Sequence, residues 1–128
     1  LPMSDIVILG PKRTALGALI VHFTSVPTPT LGAAAIKGAL EQSGVSADAV
    51  SEVIMGCVLP AGLGQAPARQ AMLAAGIPAA AGATTINKVC GSGMKAVMLG
   101  ADLIKAGSAD VVVAGGMESM TNAPHLLN

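Results

Sequence analysis

Tryptophan and tyrosine are absent from this sequence, and Phe23 is its single aromatic residue. No base-stacking platform can be built from that stock. Charge is equally scarce: seven Lys and Arg balance seven Asp and Glu, 11% of 128 residues, for a formal net charge of zero. A nucleic-acid binder needs surplus positive charge to neutralise phosphates, so that class is excluded. Continuous apolar runs of membrane length are lacking too. The uncharged stretch 71–87 is Ala-rich and broken by Gly76, Pro78 and Gly82, too interrupted for a spanning helix of about 20 apolar residues. No basic segment followed by an apolar run opens the sequence. A secretory signal is therefore not expected, and the expected location is cytoplasmic, with mitochondrion and peroxisome as alternatives. Cys57 and Cys90 are the only cysteines. They form no metal-ligand spacing, and no bound metal is expected. In a chain of this composition they read as reduced thiols.

Apolar residues are plentiful by contrast, at 52%. That is high for an isolated soluble domain. Cover by other protein explains it: the rest of a longer chain, a second subunit, or both.

The apolar residues come in short runs. Asp5–Leu9, Val53–Val58 and Asp110–Ala114 are continuous and rich in β-branched residues, as suits strands buried on both faces. Ala83–Val89 reads as a further strand. Helical patterns lie between: Leu31–Ser43 with Gly44 as its C′ residue, Pro67–Ala75 with proline at its start and Gly76 beyond its end, and Met94–Ala106 before Gly107. The stretch 21–29, with Pro27 and Pro29, reads as a loop. This alternation predicts an α/β fold, a largely parallel or mixed sheet with helices on its faces.

The chemical signal lies in Thr85-Ile-Asn-Lys-Val-Cys-Gly-Ser-Gly-Met94. A cysteine stands where a strand becomes a helix. The first helical turn offers unpaired N–H groups and a partial positive charge, and a thiolate placed there is stabilised. Gly91, Ser92 and Gly93 leave room for a substrate to approach the sulfur. The same logic underlies the strained strand-turn-helix elbows of other nucleophilic enzymes. On the residues alone, a buried structural cysteine stands beside this reading. A phosphate site at the helix start is a weaker alternative, since the fuller glycine fingerprint and a P-loop lysine are lacking.

Asn87-Lys-Val-Cys-Gly-Ser-Gly-Met-Lys-Ala-Val97 resembles the acyl-enzyme signature of the thiolases. Val112-Val-Ala-Gly-Gly-Met-Glu-Ser-Met120, followed by Ala123-Pro-His125, resembles the segment that comes next in that family. Val53–Gly62, Gly64–Gln70 and Lys12-Arg-Thr14 fit as well, so the resemblance covers nearly the whole chain in order. The Gln-Ala-Pro-Ala-Arg stretch is most similar to the acetoacetyl-CoA, biosynthetic branch. The resemblance implies a thiolase-type N-terminal α/β domain over 1–128. It implies an acyltransferase of lipid metabolism in which Cys90 is acylated and its backbone N–H contributes to an oxyanion hole. It also implies coenzyme A thioesters as substrates, no covalently bound cofactor, and a homo-oligomer whose subunits meet near the strand before Cys90.

The sequence departs from the family in extent. Thiolases carry a Gly-His-Pro histidine, an Asn-Glu-Ala-Phe motif and a second cysteine in Cys-x-Gly, and none of these motifs occurs in the 128 residues. The loop region that holds much of CoA and the C-terminal half are likewise not represented. Little or no turnover is expected of the chain alone. Ala66 stands where the family often has Asn, and 17–21 differs from its usual Gly-Ser-Phe-type loop.

The remaining residues read more plainly. Cys57 is expected in the core, Met94, Met98, Met117 and Met120 as gap fillers, and His22 as solvated or packing. His125 matches the family's Pro-His pair and is not read as the general base. Lys88 and Lys95 flank the nucleophile, Asn87 is a backbone or interface partner, and Arg69 a subunit contact or solvated surface. A ketosynthase-like enzyme and a non-catalytic interaction module of the same fold are the rival readings.

Overall fold

The computed structural model describes residues 5–128. Thr28–Ser43 forms helix α1, Glu52–Gly56 strand β1, Pro67–Ala74 helix α2, Gly82–Ile86 strand β2, Ser92–Lys105 helix α3 and Val112–Gly116 strand β3. Single 3₁₀ turns occupy Ala47–Ala49 and Met120–Asn122. The ends follow from local chemistry. Gly44 stops α1 at φ 70°, a left-handed conformation that glycine adopts at little cost, and returns its N–H to the Leu40 carbonyl. Pro67 opens α2, where its missing N–H is no loss.

All three strands run parallel, in the order β2-β1-β3. The central β1 is therefore paired along both edges, and Val53 through Gly56 are all buried. Side chains alternate along it with period two, and this assigns the layers. Val53 and Met55 join the main core with Ile36, Ala68, Met72 and Ile77, on the side of α1 and α2. On that same face the Ala68 amide of α2 donates to Thr85 Oγ1 at 3.0 Å. Ile54 and Gly56 point the other way. There Gly56 lies against Ser92 and Gly93, and Gly100 against Val112 and Ala114, so α3 covers the second face. The result is the expected α/β sandwich of helices about a parallel sheet.

Two expectations are corrected. The run 5–9 forms no strand among the described residues. Val7, Ile8 and Leu9 are 60–77% exposed, and Gly10 and Lys12 lie against Ala39, Ser43 and Gly38 of α1. A strand needs a partner edge, and the run 5–9 pairs with neither outer edge of the β2-β1-β3 sheet. The methionines divide as well. Met117 is buried in the core, whereas Met94, Met98 and Met120 are exposed. The small residues Ala96 and Gly100 carry α3 onto the sheet, which turns Met94 and Met98 outward.

Candidate functional site: a thiol at the β2–α3 elbow

Strand β2 stops at Ile86, and α3 begins at Ser92. The five residues between them reverse the chain tightly. The Gly91 amide donates to the Lys88 carbonyl at 3.0 Å, and the Ser92 amide to the Val89 carbonyl at 3.1 Å. Val89 itself sits at φ 47°, a left-handed conformation that is costly for a β-branched residue. Cys90 follows it directly, exposed and unpaired, at the lip of α3. Lys88 lies in this turn, beyond the end of the regular strand at Ile86.

Side chains brace this turn. The Ser92 hydroxyl, only 4% exposed, accepts from the Lys88 amide at 2.8 Å and donates to the Val89 carbonyl at 2.6 Å. Asn87 Oδ1 accepts from the Val89 amide at 2.9 Å, while its Nδ2 donates to the Val58 carbonyl at 3.2 Å. The expectation that Asn87 partners backbone is met within the chain. The loop after β1 is tied in turn to the end of β3: the Glu118 carboxylate accepts from the Val58 amide at 2.6 Å and the Leu59 amide at 3.1 Å. An open cavity of about 680 Å³ lies over this junction, lined by Cys90, Ser92, Gly93, Val58, Glu118 and the basic pair Lys12 and Arg13.

The other sequence-selected residues stand apart from the thiol. Neither His22 nor His125 lines the cavity that holds Cys90. His22 accepts the Ala18 amide through Nδ1 at 3.0 Å, and His125 is exposed near the C-terminal end. Arg69 donates to the carbonyls of Ala79 and Ala81; its partners are backbone of its own chain. Among the described residues no group of three His, Cys, Asp or Glu is placed to hold a metal. No helix among them is long and apolar enough to cross a membrane. Sequence reasoning overlooked the brace at Ser92 and the clamp at Glu118. A carboxylate at the end of an otherwise apolar strand was the one available signal for the latter.

Cys57 is the contrasting thiol, 1% exposed inside the core. Burial pushes it above the ordinary cysteine value of 9.0, the nearby Glu118 carboxylate adds to that rise, and the Leu59 amide opposes it. The folded chain thus keeps this proton to higher pH than the unfolded chain does. The stability contributed by the group is complete below the unfolded value and is lost as pH rises through the folded one. Urea midpoints are expected to fall as pH climbs past about 9, and Cys57→Ala is expected to flatten that fall. Parallel declines in both proteins would contradict this assignment.

Fold and elbow together define a class: an α/β protein that presents an accessible thiol at a helix start beside an open cavity. Residues 6–128 match the family model described as the thiolase N-terminal domain. The chain is 58% identical to acetyl-CoA acetyltransferase of Cupriavidus necator over 125 residues, covering 98% of this chain and 32% of that protein. It is 48% identical to mitochondrial acetyl-CoA acetyltransferase of Bos taurus, covering 98% of this chain and 30% of the relative. The structure is similar to the Acat5 thiolase of Ascaris suum, solved in complex with coenzyme A, with TM-score 0.85, 43% identity, and coverage of 87% of this chain and 29% of that one. The chain belongs to the thiolase family. It spans about a third of the length of these curated relatives, 30–32%.

Proposed function

We propose that residues 1–128 are the N-terminal α/β layer of a longer thiolase, with Cys90 as the thiol that takes up the acyl group. The observation that carries this reading is the exposed Cys90 sulfur at the elbow, facing a cavity, within a family-matching stretch. In the first half-reaction the Cys90 thiolate attacks the carbonyl carbon of an acyl-CoA thioester. The new bond joins the cysteine sulfur to that carbon, and the bond to the CoA sulfur breaks, releasing CoA as its thiolate. Backbone N–H donors at the helix start suit the charge that develops on the carbonyl oxygen. The acyl-enzyme then condenses with the enolate of acetyl-CoA, or the reverse sequence cleaves acetoacetyl-CoA or another 3-ketoacyl-CoA.

The relative from Ascaris suum was solved with coenzyme A, which supports a CoA thioester as donor. The resemblance implies a histidine base and a second cysteine, and their motifs are not among these 128 residues. The exposed apolar stripe Met94, Val97 and Met98 on α3 supports cover by further protein, either that remaining segment or a second copy. The cytoplasm is kept as location. The bovine relative is named mitochondrial, and the mitochondrion is accordingly the leading alternative.

Donor choice tests the reading. This chain is joined to the remaining two-thirds of the Cupriavidus necator relative and offered isotopic acetyl-CoA or an acetylated acyl-carrier protein. The label is expected on the peptide between Lys88 and Lys95, from CoA and not from the carrier. Labelling from the carrier alone would favour a ketosynthase-like enzyme, and no label on Cys90 would favour a non-catalytic module.

A further inference from the structure

The elbow holds a conformation that its own residue disfavours. Val89 has φ 47°, where glycine, asparagine and aspartate are at ease and a β-branched side chain is not. Such a conformation persists only where its surroundings over-determine it. Both backbone groups of Val89 and the amide before it are tied by side chains. Asn87 Oδ1 takes the Val89 N–H, and the Ser92 hydroxyl takes the Lys88 N–H while donating to the Val89 carbonyl. The Ser92 side chain is also fixed from outside. It packs against Gly56 of β1 so closely that a methyl group on Gly56 would lie 2.5 Å from the Ser92 Cβ. Asn87 reaches β1's loop through Val58. The sheet therefore restrains the turn through two side chains, neither of which needs to touch a substrate.

We propose that Ser92 and Asn87 are positioning residues that force Val89 into the left-handed region and thereby hold the Cys90 sulfur at the helix start, facing the cavity. With Ser92 removed, Val89 relaxes to an ordinary conformation and the thiol turns away. This rests on the reading of Cys90 as the nucleophile.

The test is a rescue. Iodoacetamide labelling of Cys90 is followed at neutral pH in the full chain, together with hydrogen exchange at the Lys88 and Val89 amides. Ser92→Ala is expected to slow Cys90 labelling about tenfold, the scale set by a strained backbone losing its restraint, and to deprotect the Lys88 amide. Adding Val89→Gly is expected to restore the labelling rate, because glycine takes the left-handed conformation without restraint. A general loss of packing would not be rescued in this way. Asn87→Ala, at an exposed side chain, carries the same test should Ser92→Ala not fold. Wild-type labelling in Ser92→Ala, or a loss that Val89→Gly leaves untouched, would overturn the proposal. A wild-type Cys90 that labels no faster than Cys57 would instead sink the nucleophile reading. Amide exchange would then decide the brace by itself: retained Lys88 protection in Ser92→Ala refutes it, and loss upholds it.

Discussion

Acetoacetyl-CoA is expected to survive incubation with the 128-residue chain and free CoA, whereas the chain joined to the rest of its Cupriavidus necator relative cleaves it. Thiolysis needs more than a sulfur. A proton must leave the attacking thiol, another must reach the departing enolate carbon, and each positioned acid or base contributes on the order of 10²–10⁴ in rate. The two histidines are not at the cavity: His22 and His125 both lie away from the lining that includes Cys90. The second thiol, Cys57, is buried in the core with its titration displaced upward, which suits it poorly to shuttle protons at neutral pH. With both proton-handling groups missing, a rate deficit of about 10⁴ or more is expected. Loss of the acetoacetyl-CoA enolate absorbance reads it. Brisk thiolysis by the chain alone would show that a base has been overlooked among these residues.

Gly56→Ala should be strongly destabilising for a single added methyl group. The added Cβ would stand 2.5 Å from the Ser92 Cβ, 2.7 Å from the Ser92 carbonyl carbon and 2.9 Å from the Gly93 amide nitrogen. Those are mostly backbone atoms, so no rotamer change relieves the clash. Either α3 lifts from the sheet or β1 shifts, and β1 is buried along Val53–Gly56. Overpacking of a core contact costs about 1–3 kcal/mol and sometimes more. Here the obstacle is rigid, and about 3 kcal/mol is expected, a large share of a domain's stability. Gly38→Ala provides the opposite sign. It lies inside α1, and its new methyl group meets only the Lys12 side chain, at 3.3 Å and beyond. Lys12 is exposed and has to give by only a few tenths of an ångström, so removing a helical glycine should stabilise by about 0.5–1 kcal/mol. Urea unfolding of the pair checks both. A neutral Gly56→Ala would mean that α3 does not pack on this strand as described.

Much of this architecture can be read in the residues, and the parts that cannot are instructive. Helix ends were legible because caps are local: Gly44, Pro67 and Gly107 act on their own neighbours. The thiol at the β2–α3 junction was legible for the same reason. Strand partnership was not local. Asp5–Leu9 has a strand's composition and no strand's partner, so composition predicted what pairing then denied. The methionines of α3 failed similarly. Their period fits a core-facing stripe, yet Ala96 and Gly100 are the residues that meet the sheet. The side-chain braces were least legible of all. From sequence Ser92 is simply a small residue beside two glycines, yet its hydroxyl ties two backbone groups of the elbow. Glu118 joins the chain ends of β1 and β3 over sixty positions of sequence, a distance that no local pattern encodes.

The reactivity contrast between the two thiols is the sharpest test of Cys90 as the nucleophile. The folded chain is treated with limiting iodoacetamide at neutral pH, quenched over time, and mapped by mass spectrometry. Cys90, exposed at the start of α3, should be alkylated well before Cys57, which is 1% exposed. After unfolding in urea the two rates should converge, because the difference belongs to the fold and not to the local sequence. Equal and slow labelling of both cysteines in the folded chain would contradict the assignment of Cys90 as the nucleophile.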